Sequence, residues 1–341
     1  MYDYTLIKSE EFGKFSHLTK SSYYRERPRL FTEIDYMKYK LTNGKRGSEK
    51  AYMIIQVDNP WGKWELTIKG SLRKFYYGAL STKDLSAVDT LKALNIIADA
   101  LDIPYADFET LKIGRLEIGY NFDIGSKDCA TFINKIIGFK SGKYTPLIAP
   151  NYKLFRSGIM SGKVYDKIEE IKSHFGHAND KYQRSFLMKE GNRNILRVEF
   201  TLNKRPSIIE KNLGFNTVEG LVTDYGKAVK FFHDNCYCLK IDNNESLDFG
   251  DFPLTTKGLM DFALMKGLKS LGDLELDGYL SKMESRNRID TRRRLKEVYG
   301  RMPHSSNYRE FFLDLVRDQL ILGHFVRSAQ EKNLYIIDRA A

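Results

Sequence analysis

The segment Lys163-Val164-Tyr165-Asp166-Lys167-Ile168-Glu169-Glu170 sets a tyrosine where a strand-like run gives way to a helix-like one. A phenolic oxygen held there stands at a fixed place above a sheet edge. A neighbouring lysine such as Lys167 can stabilise a phenolate or the charge on a pentavalent phosphate. Taken alone, the segment also reads as a strand-terminal aromatic before a solvated helix start, because the chain holds 21 tyrosines. Three carboxylates, Glu65, Glu117 and Glu199, fall inside strand-like runs, where charge is normally excluded. A carboxylate facing a sheet interior is costly unless it is paired or bound to a metal. Glu117 and Glu199 each follow an arginine by two places (Arg115 and Arg197), so each Arg and Glu share a strand face. Either pair alone reads as an ion pair on an exposed face. Several such glutamates beside a candidate nucleophile point instead to a hard-metal site, Mg²⁺ or Mn²⁺, built from oxygen ligands.

Other chemistries are excluded or weakened. The six histidines are His17, His174, His177, His233, His304 and His324, and no two flank a single hydrophobic residue on a strand. The paired-histidine metal site of many nicking enzymes is therefore absent. No Gly-rich loop runs into Lys-Ser/Thr, which argues against a nucleotide-driven motor. Cys129, Cys236 and Cys238 are too few for a disulfide framework or a zinc site and read as reduced thiols. No signal-peptide pattern and no membrane-length apolar run is visible, so a cytoplasmic protein is expected. Lys and Arg outnumber Asp and Glu by 55 to 44, for a net charge of +11, which favours a polyanionic partner.

The elements that must position these residues follow from periodicity. Residues 51–57 and 64–69 read as a hairpin around the turn cluster Asp58-Asn59-Pro60-Trp61-Gly62. Leu85 to Leu101 has helical spacing, and 112–122 reads as a strand with alternating faces. Cys129 to Phe139 reads as helix, 152–165 as strands around a glycine turn, 166–174 as helix and 195–202 as a strand inside the sheet. The two strand-helix-strand stretches, about 50–125 and 150–205, predict a duplicated module. The fold expected is α+β, with a largely antiparallel central sheet and a mainly helical C-terminal part. The pattern turns helical from Val218 to His233 and again over 257–271, 282–299 and 308–322. A soft boundary near 215 would separate a catalytic region, 1–215 with its core in 50–215, from a helical DNA-binding or accessory region, 216–341.

Four short stretches resemble, in order, the filamentous-phage gene II/X-type replication initiators and the related rolling-circle phage and plasmid replication proteins. They are Trp64-Glu65-Leu66-Thr67-Ile68-Lys69-Gly70, Ile113-Gly114-Arg115-Leu116-Glu117, Val164-Tyr165-Asp166-Lys167 with Glu169, and Leu196-Arg197-Val198-Glu199-Phe200 with the 204–215 segment after it. Each motif is short, and together they span about 50–215. The resemblance implies that Tyr165 is the nucleophile and Lys167 its charge-stabilising neighbour. It makes Glu117 and Glu199 the first metal ligands, with Glu65 and Asp166 behind them. It also implies the reaction: attack on an origin phosphodiester, a 5′-phosphotyrosyl intermediate, a free 3′-OH that primes synthesis, and later rejoining. The implied setting is a bacterial host cytoplasm. The implied partners are origin DNA, duplex and single-stranded, a host helicase and polymerase, and a possible homodimer, with no membrane. A second tyrosine for termination is not identifiable, Tyr182 reading as a loop aromatic.

The 282–296 segment carries Lys282, Arg286, Arg288, Arg292, Arg293, Arg294 and Lys296 against Glu284 and Asp290. In a helix these cations suit phosphate contacts or a guanine edge, and equally a solvated charged face. Arg115 and Arg197 join them as candidate DNA contacts. The Tyr23-to-Arg29 stretch mixes aromatics and cations as a single-strand grip would, and also reads as an exposed loop. Three rivals remain. A non-catalytic initiator or repressor explains the charge but leaves the strand glutamates idle. A plasmid mobilisation relaxase would use the same chemistry but lacks its histidine pair. A metal-dependent nuclease using water would make Tyr165 dispensable.

Overall fold

The computed structural model of the chain describes residues 1–9, 17–18, 30–32, 38–43, 51–58, 65–140, 144–149, 151–157, 159–175, 181–203, 205–242, 255–256, 260, 263, 287, 290–291, 293 and 308–322. By contacts the chain divides into Met1–Ile241 with Phe312–Ala341, and Asp242–Phe311. The division at Ile241 lies beyond the boundary expected near 215. The segment after 215 buries Val218, Leu221, Val229 and Phe232 in the sheet-bearing unit. No helix among the described residues is long and apolar enough to cross a membrane.

The sheet-bearing unit is built on ten strands: β1 (Tyr2–Ser9), β2 (Leu30–Thr32), β3 (Lys38–Thr42), β4 (Tyr52–Asp58), β5 (Glu65–Ser71), β6 (Lys112–Asp123), β8 (Tyr144–Ala149), β9 (Tyr152–Ser157), β10 (Met160–Asp166) and β11 (Ile195–Leu202). Their order is β2-β3-β4-β5-β1-β6-β11-β10-β9-β8, and each neighbouring pair is antiparallel. The fold is thus α+β with an antiparallel central sheet, as the periodicity predicts. A separate two-stranded sheet pairs β7 (Ile136–Phe139) with β12 (Leu239–Ile241).

The duplication is visible in the connections. In the first half, hairpin β4–β5 ends at Ser71, whose hydroxyl accepts from the Lys74 amide and starts α1 (Leu72–Tyr77). The chain passes through α2 (Ala87–Ala100) and α3 (Tyr105–Phe108), then returns as β6. In the second half, hairpin β9–β10 ends at Asp166, which accepts from the Ile168 and Glu169 amides at the start of α5 (Lys167–Phe175). After α6 (Lys181–Glu190) the chain returns as β11. A short polar acceptor at each strand end satisfies helix amides that would otherwise lack partners. The two returning strands, β6 and β11, pair at the centre. The first half differs by insertion of β1 between β5 and β6. That strand was not anticipated from sequence.

Alternation gives the sheet two unlike faces. One carries Leu116, Ile118 and Phe122 of β6, Val198, Phe200 and Leu202 of β11, and Val164 of β10, all buried. Against it pack α4 (Cys129–Lys135), α7 (Pro206–Leu213) and α9 (Tyr225–Cys236), which follows α8 (Gly220–Thr223). Phe232 of α9 lies 5.3 Å from Phe200, ring to ring. Phe312 of α10 (Tyr308–Leu315), which runs on into a π-helix over Val316–Leu322, lies 5.6 Å from Phe122. The other face is polar, and the site lies on it.

Two element boundaries depart from the periodicity. The helix expected over Cys129–Phe139 stops at Lys135, and Ile136–Phe139 is strand. Paired β-branched residues and Gly138 are poor helix formers, and Phe139 gains a stacked contact with Phe200 at 5.1 Å. The helix expected over Val218–His233 is two helices broken at Asp224.

Candidate functional site

β10 and β11 pair so that Tyr165 lies opposite Arg197 and Lys163 opposite Glu199. β11 and β6 pair so that Glu199 lies opposite Gly119 and Thr201 opposite Glu117. Alternation therefore brings Tyr165, Lys163, Arg197, Glu199 and Glu117 to one face of three adjacent central strands. The Tyr165 hydroxyl donates to Glu199 Oε1 at 2.8 Å. Arg197 Nε donates to the same oxygen at 2.6 Å. Lys163 Nζ donates to Glu117 and lies 3.4 Å from Glu199 Oε2, while Thr201 Oγ1 donates to Glu117 Oε1 at 3.0 Å.

Arg197 is fully buried and anchors the group. Besides Glu199, it reaches Asp84 at 3.1 Å and Asn121 at 2.9 Å through Nη1, and Asp3 at 2.7 Å through Nη2. Its fork is thus engaged within the protein, which removes it from the candidate DNA contacts. A guanidinium with no exposure cannot meet a phosphate, so Arg197 positions Glu199 instead. Asp3 also receives Ser71 Oγ and lies 3.6 Å from Arg73 Nε. Although burial opposes it, the Arg73 and Arg197 cations hold the Asp3 carboxyl well below its usual range. Isolated ions would be strongly disfavoured here, and this web of opposite charges offsets their desolvation.

Lys167 lies one residue past the Asp166 cap and is also fully buried. Its ammonium donates to Glu170 at 2.5 Å and sits 5.9 Å from the Tyr165 ring centre. Burial, then the nearby Arg73 charge, lowers its pKa to about 7. Lys163, rather than Lys167, is the ammonium between the two site glutamates.

Of the four candidate metal ligands, the fold brings two together. Glu117 and Glu199 converge on Lys163. Burial, and next the Glu199 charge, raises the Glu117 carboxyl to about 7. Two buried carboxylates crowded in this way suit a hard cation that would draw further ligands from a phosphate. Among the described residues no group of three or more His, Cys, Asp and Glu is placed to hold a metal. Glu65 is exposed at the opposite end of β5, across from Asp58. Asp166 pairs in register with Leu196, on the apolar face, and its Oδ1 is taken by the cap of α5. Both therefore stand apart from the Glu117–Glu199 pair.

Arg115 lies on the polar face, its guanidinium carbon 4.7 Å from the Tyr4 ring centre. Arg293 is exposed on a helical turn, 3.3 Å from Asp290. Arg286, Arg288, Arg292, Arg294, Lys296 and the 23–29 stretch lie outside the described residues, as does the Tyr182 side chain. Sequence reasoning missed Asp3, Asp84 and Asn121 as partners of Arg197. The alternation in Tyr2-Asp3-Tyr4-Thr5-Leu6-Ile7 was a signal for β1, but nothing local tied Asp3 to residue 197. No protein family, curated protein or solved structure matches the chain in these comparisons.

Proposed function

We propose that this protein nicks and rejoins DNA through Tyr165, as the initiator of rolling-circle replication of a phage or plasmid in a bacterial host. The observation that carries the reading is the Tyr165 hydroxyl donating to Glu199, beside Glu117 and Lys163. Burial, and next the Glu199 charge, raises the Tyr165 phenol well above its usual value, so a standing phenolate is disfavoured. The proton must therefore leave as attack proceeds, and Glu199 is placed to take it. The Tyr165 oxygen bonds to phosphorus, the P–O3′ bond breaks, and the departing 3′ oxygen takes a proton from water. The tyrosyl ester retains the phosphodiester linkage, so reversal by a 3′-OH needs no ATP. Lys163 sets a positive charge beside the pair of glutamates, where a phosphate's non-bridging oxygens would lie. Glu117 and Glu199 would hold Mg²⁺ or Mn²⁺, which when bound offsets charge on those oxygens.

The partners proposed are origin DNA, a host helicase and a polymerase. A second reading, a metal-dependent nuclease using water, is favoured by the burial of Tyr165, which is 9% exposed. One experiment separates them. Wild type and Tyr165→Phe are incubated with the replicon's own supercoiled or single-stranded DNA and Mn²⁺ or Mg²⁺, with and without EDTA. A protein–DNA adduct formed by wild type, lost with EDTA and absent from a Phe variant that still binds DNA, is expected. Equal cleavage by the Phe variant would assign the attack to water.

A further inference from the structure

The polar face continues past the site across the first half of the sheet. Register aligns Lys40 of β3, Ile54 of β4, Lys69 of β5, Leu6 of β1 and Arg115 of β6 in one row across five strands. The next row toward the Tyr165 end places Tyr52 beside Lys40, with the ammonium 4.9 Å from the ring centre, and Tyr4 beside Arg115. All seven side chains are half-buried, whereas their neighbours Tyr39, Leu41, Met53, Ile55, Ile68, Ile7 and Ile113 on the other face are buried. Arg115 makes no hydrogen bond or ion pair with the described residues, and its Nε has no partner. The acids on this stretch of the face with described side chains are Glu117 and the buried Asp3, both held in the site's charge web, and Glu65, at the far end of β5.

We propose that this row is a track for single-stranded DNA, carrying the strand across β3, β4, β5, β1 and β6 to the Tyr165 phosphodiester. The proposal rests on the nicking reading for the strand's destination. Five adjacent strands at about 4.8 Å spacing give a lane about 19 Å long, whose end at Arg115 lies two strands across and, through the rows of Glu117 and Gly119, about 20 Å along the strands from Tyr165. Cations spaced along it match a phosphate backbone. Tyr52 and Tyr4, each beside a cation, offer flat faces on which unpaired bases stack whatever their sequence. Duplex DNA has no exposed base faces to use them. An acidic protein would use the cations and leave the rings idle.

The test is fluorescence anisotropy of the full chain with a labelled single-stranded oligonucleotide of mixed sequence, titrated at several salt concentrations. Lys40→Gln with Lys69→Gln is expected to lower the slope of log affinity on log salt by about 1.4, at about 0.7 per lost phosphate contact. Tyr52→Leu is expected to weaken binding about tenfold, and Tyr52→Phe to leave it unchanged, because stacking needs the ring and not the hydroxyl. The double variant Lys40→Arg with Lys69→Arg keeps the charge and should bind as wild type. An unchanged salt slope in the Gln variant, or equal loss in the Arg variant, overturns the track. So does tighter binding of an oligoribonucleotide of the same sequence with the same dependence on these residues, which would make the occupant RNA. The two readings fail separately. Track-dependent binding with no tyrosyl adduct sinks the nicking chemistry alone, and adduct formation with normal binding by the Gln and Leu variants sinks the track alone.

Discussion

The Tyr165 hydroxyl reaches Glu199 diagonally, at 2.8 Å, although Tyr165 lies in register with Arg197. Diagonal neighbours on one sheet face come within reach when a side chain is long and aromatic. Glu199 is then shared, since Arg197 Nε and the tyrosine hydroxyl both donate to its Oε1. The arginine fixes the carboxylate, and the carboxylate fixes the phenol. A base held on both sides loses little freedom when substrate arrives.

Glu199→Gln should therefore separate chemistry from binding. The amide keeps the shape and can still accept from Arg197, while Asp3 and Asp84 continue to neutralise the guanidinium. What is lost is the proton acceptor for Tyr165 and, at the same atom, one of the two carboxylates proposed to hold the metal. Adduct formation is expected to slow by about 10²-fold or more, the usual scale for removing a general base, with DNA affinity close to wild type. Single-turnover adduct formation and anisotropy, measured on the same preparation, check the two halves. A variant that forms adduct at the wild-type rate would remove Glu199 from the chemistry.

The central strands and the Tyr165–Glu117–Glu199 grouping were legible because their signals are local. Arg-x-Glu recurs on two strands, and a period of two puts each pair on one face. The strand-to-helix change at Tyr165 is marked by a capping aspartate. What sequence could not give was partnership across the sheet. Asp3 and Arg197 are 194 positions apart and meet only because β1 inserts beside β6. Asp166 and Glu65 look like equivalents of Glu117 when read along the chain. The difference is that one caps a helix from the apolar face and the other sits at a strand's far end.

The charge web beneath the tyrosine should show in acid. Although burial opposes it, Lys167 and Lys74 hold the Glu170 carboxyl at about 2, against 4.5 for an unperturbed glutamate. A folded-state value below the unfolded one means the unfolded chain binds the proton first. The stabilisation is then fully present above about 4.5 and is lost as pH falls through about 2. Its size is at most on the order of 3 kcal/mol, from about 1.4 kcal/mol per unit. Thermal unfolding of Glu170→Gln should accordingly be lower than wild type at neutral pH, with the gap closing as the pH approaches 2. A gap that stays constant across that window would mean that Glu170 is not ionised in the folded state.

Gly119 shows how tightly the anchor is packed. It lies opposite Glu199 in β6, and a Cβ built there would stand 2.7 Å from Arg197 Nη2, 2.8 Å from Glu199 Cγ and 3.1 Å from the Val198 carbonyl oxygen. None of these is the loose end of a flexible side chain. Nη2 is bound to Asp3, Cγ carries the carboxylate that holds Tyr165, and the carbonyl belongs to a central strand. Gly119→Ala must therefore displace the arginine or the glutamate, and overpacking of this kind costs about 1–3 kcal/mol. A Gly-to-Ala change would otherwise favour folding slightly by restricting the unfolded chain, so the sign of the effect is informative. Urea unfolding should show a lower midpoint with an unchanged slope, and adduct formation should fall with DNA affinity retained. An alanine variant as stable and as active as wild type would show that Arg197 and Glu199 can move apart without consequence, and the positioning role assigned to Arg197 would fail.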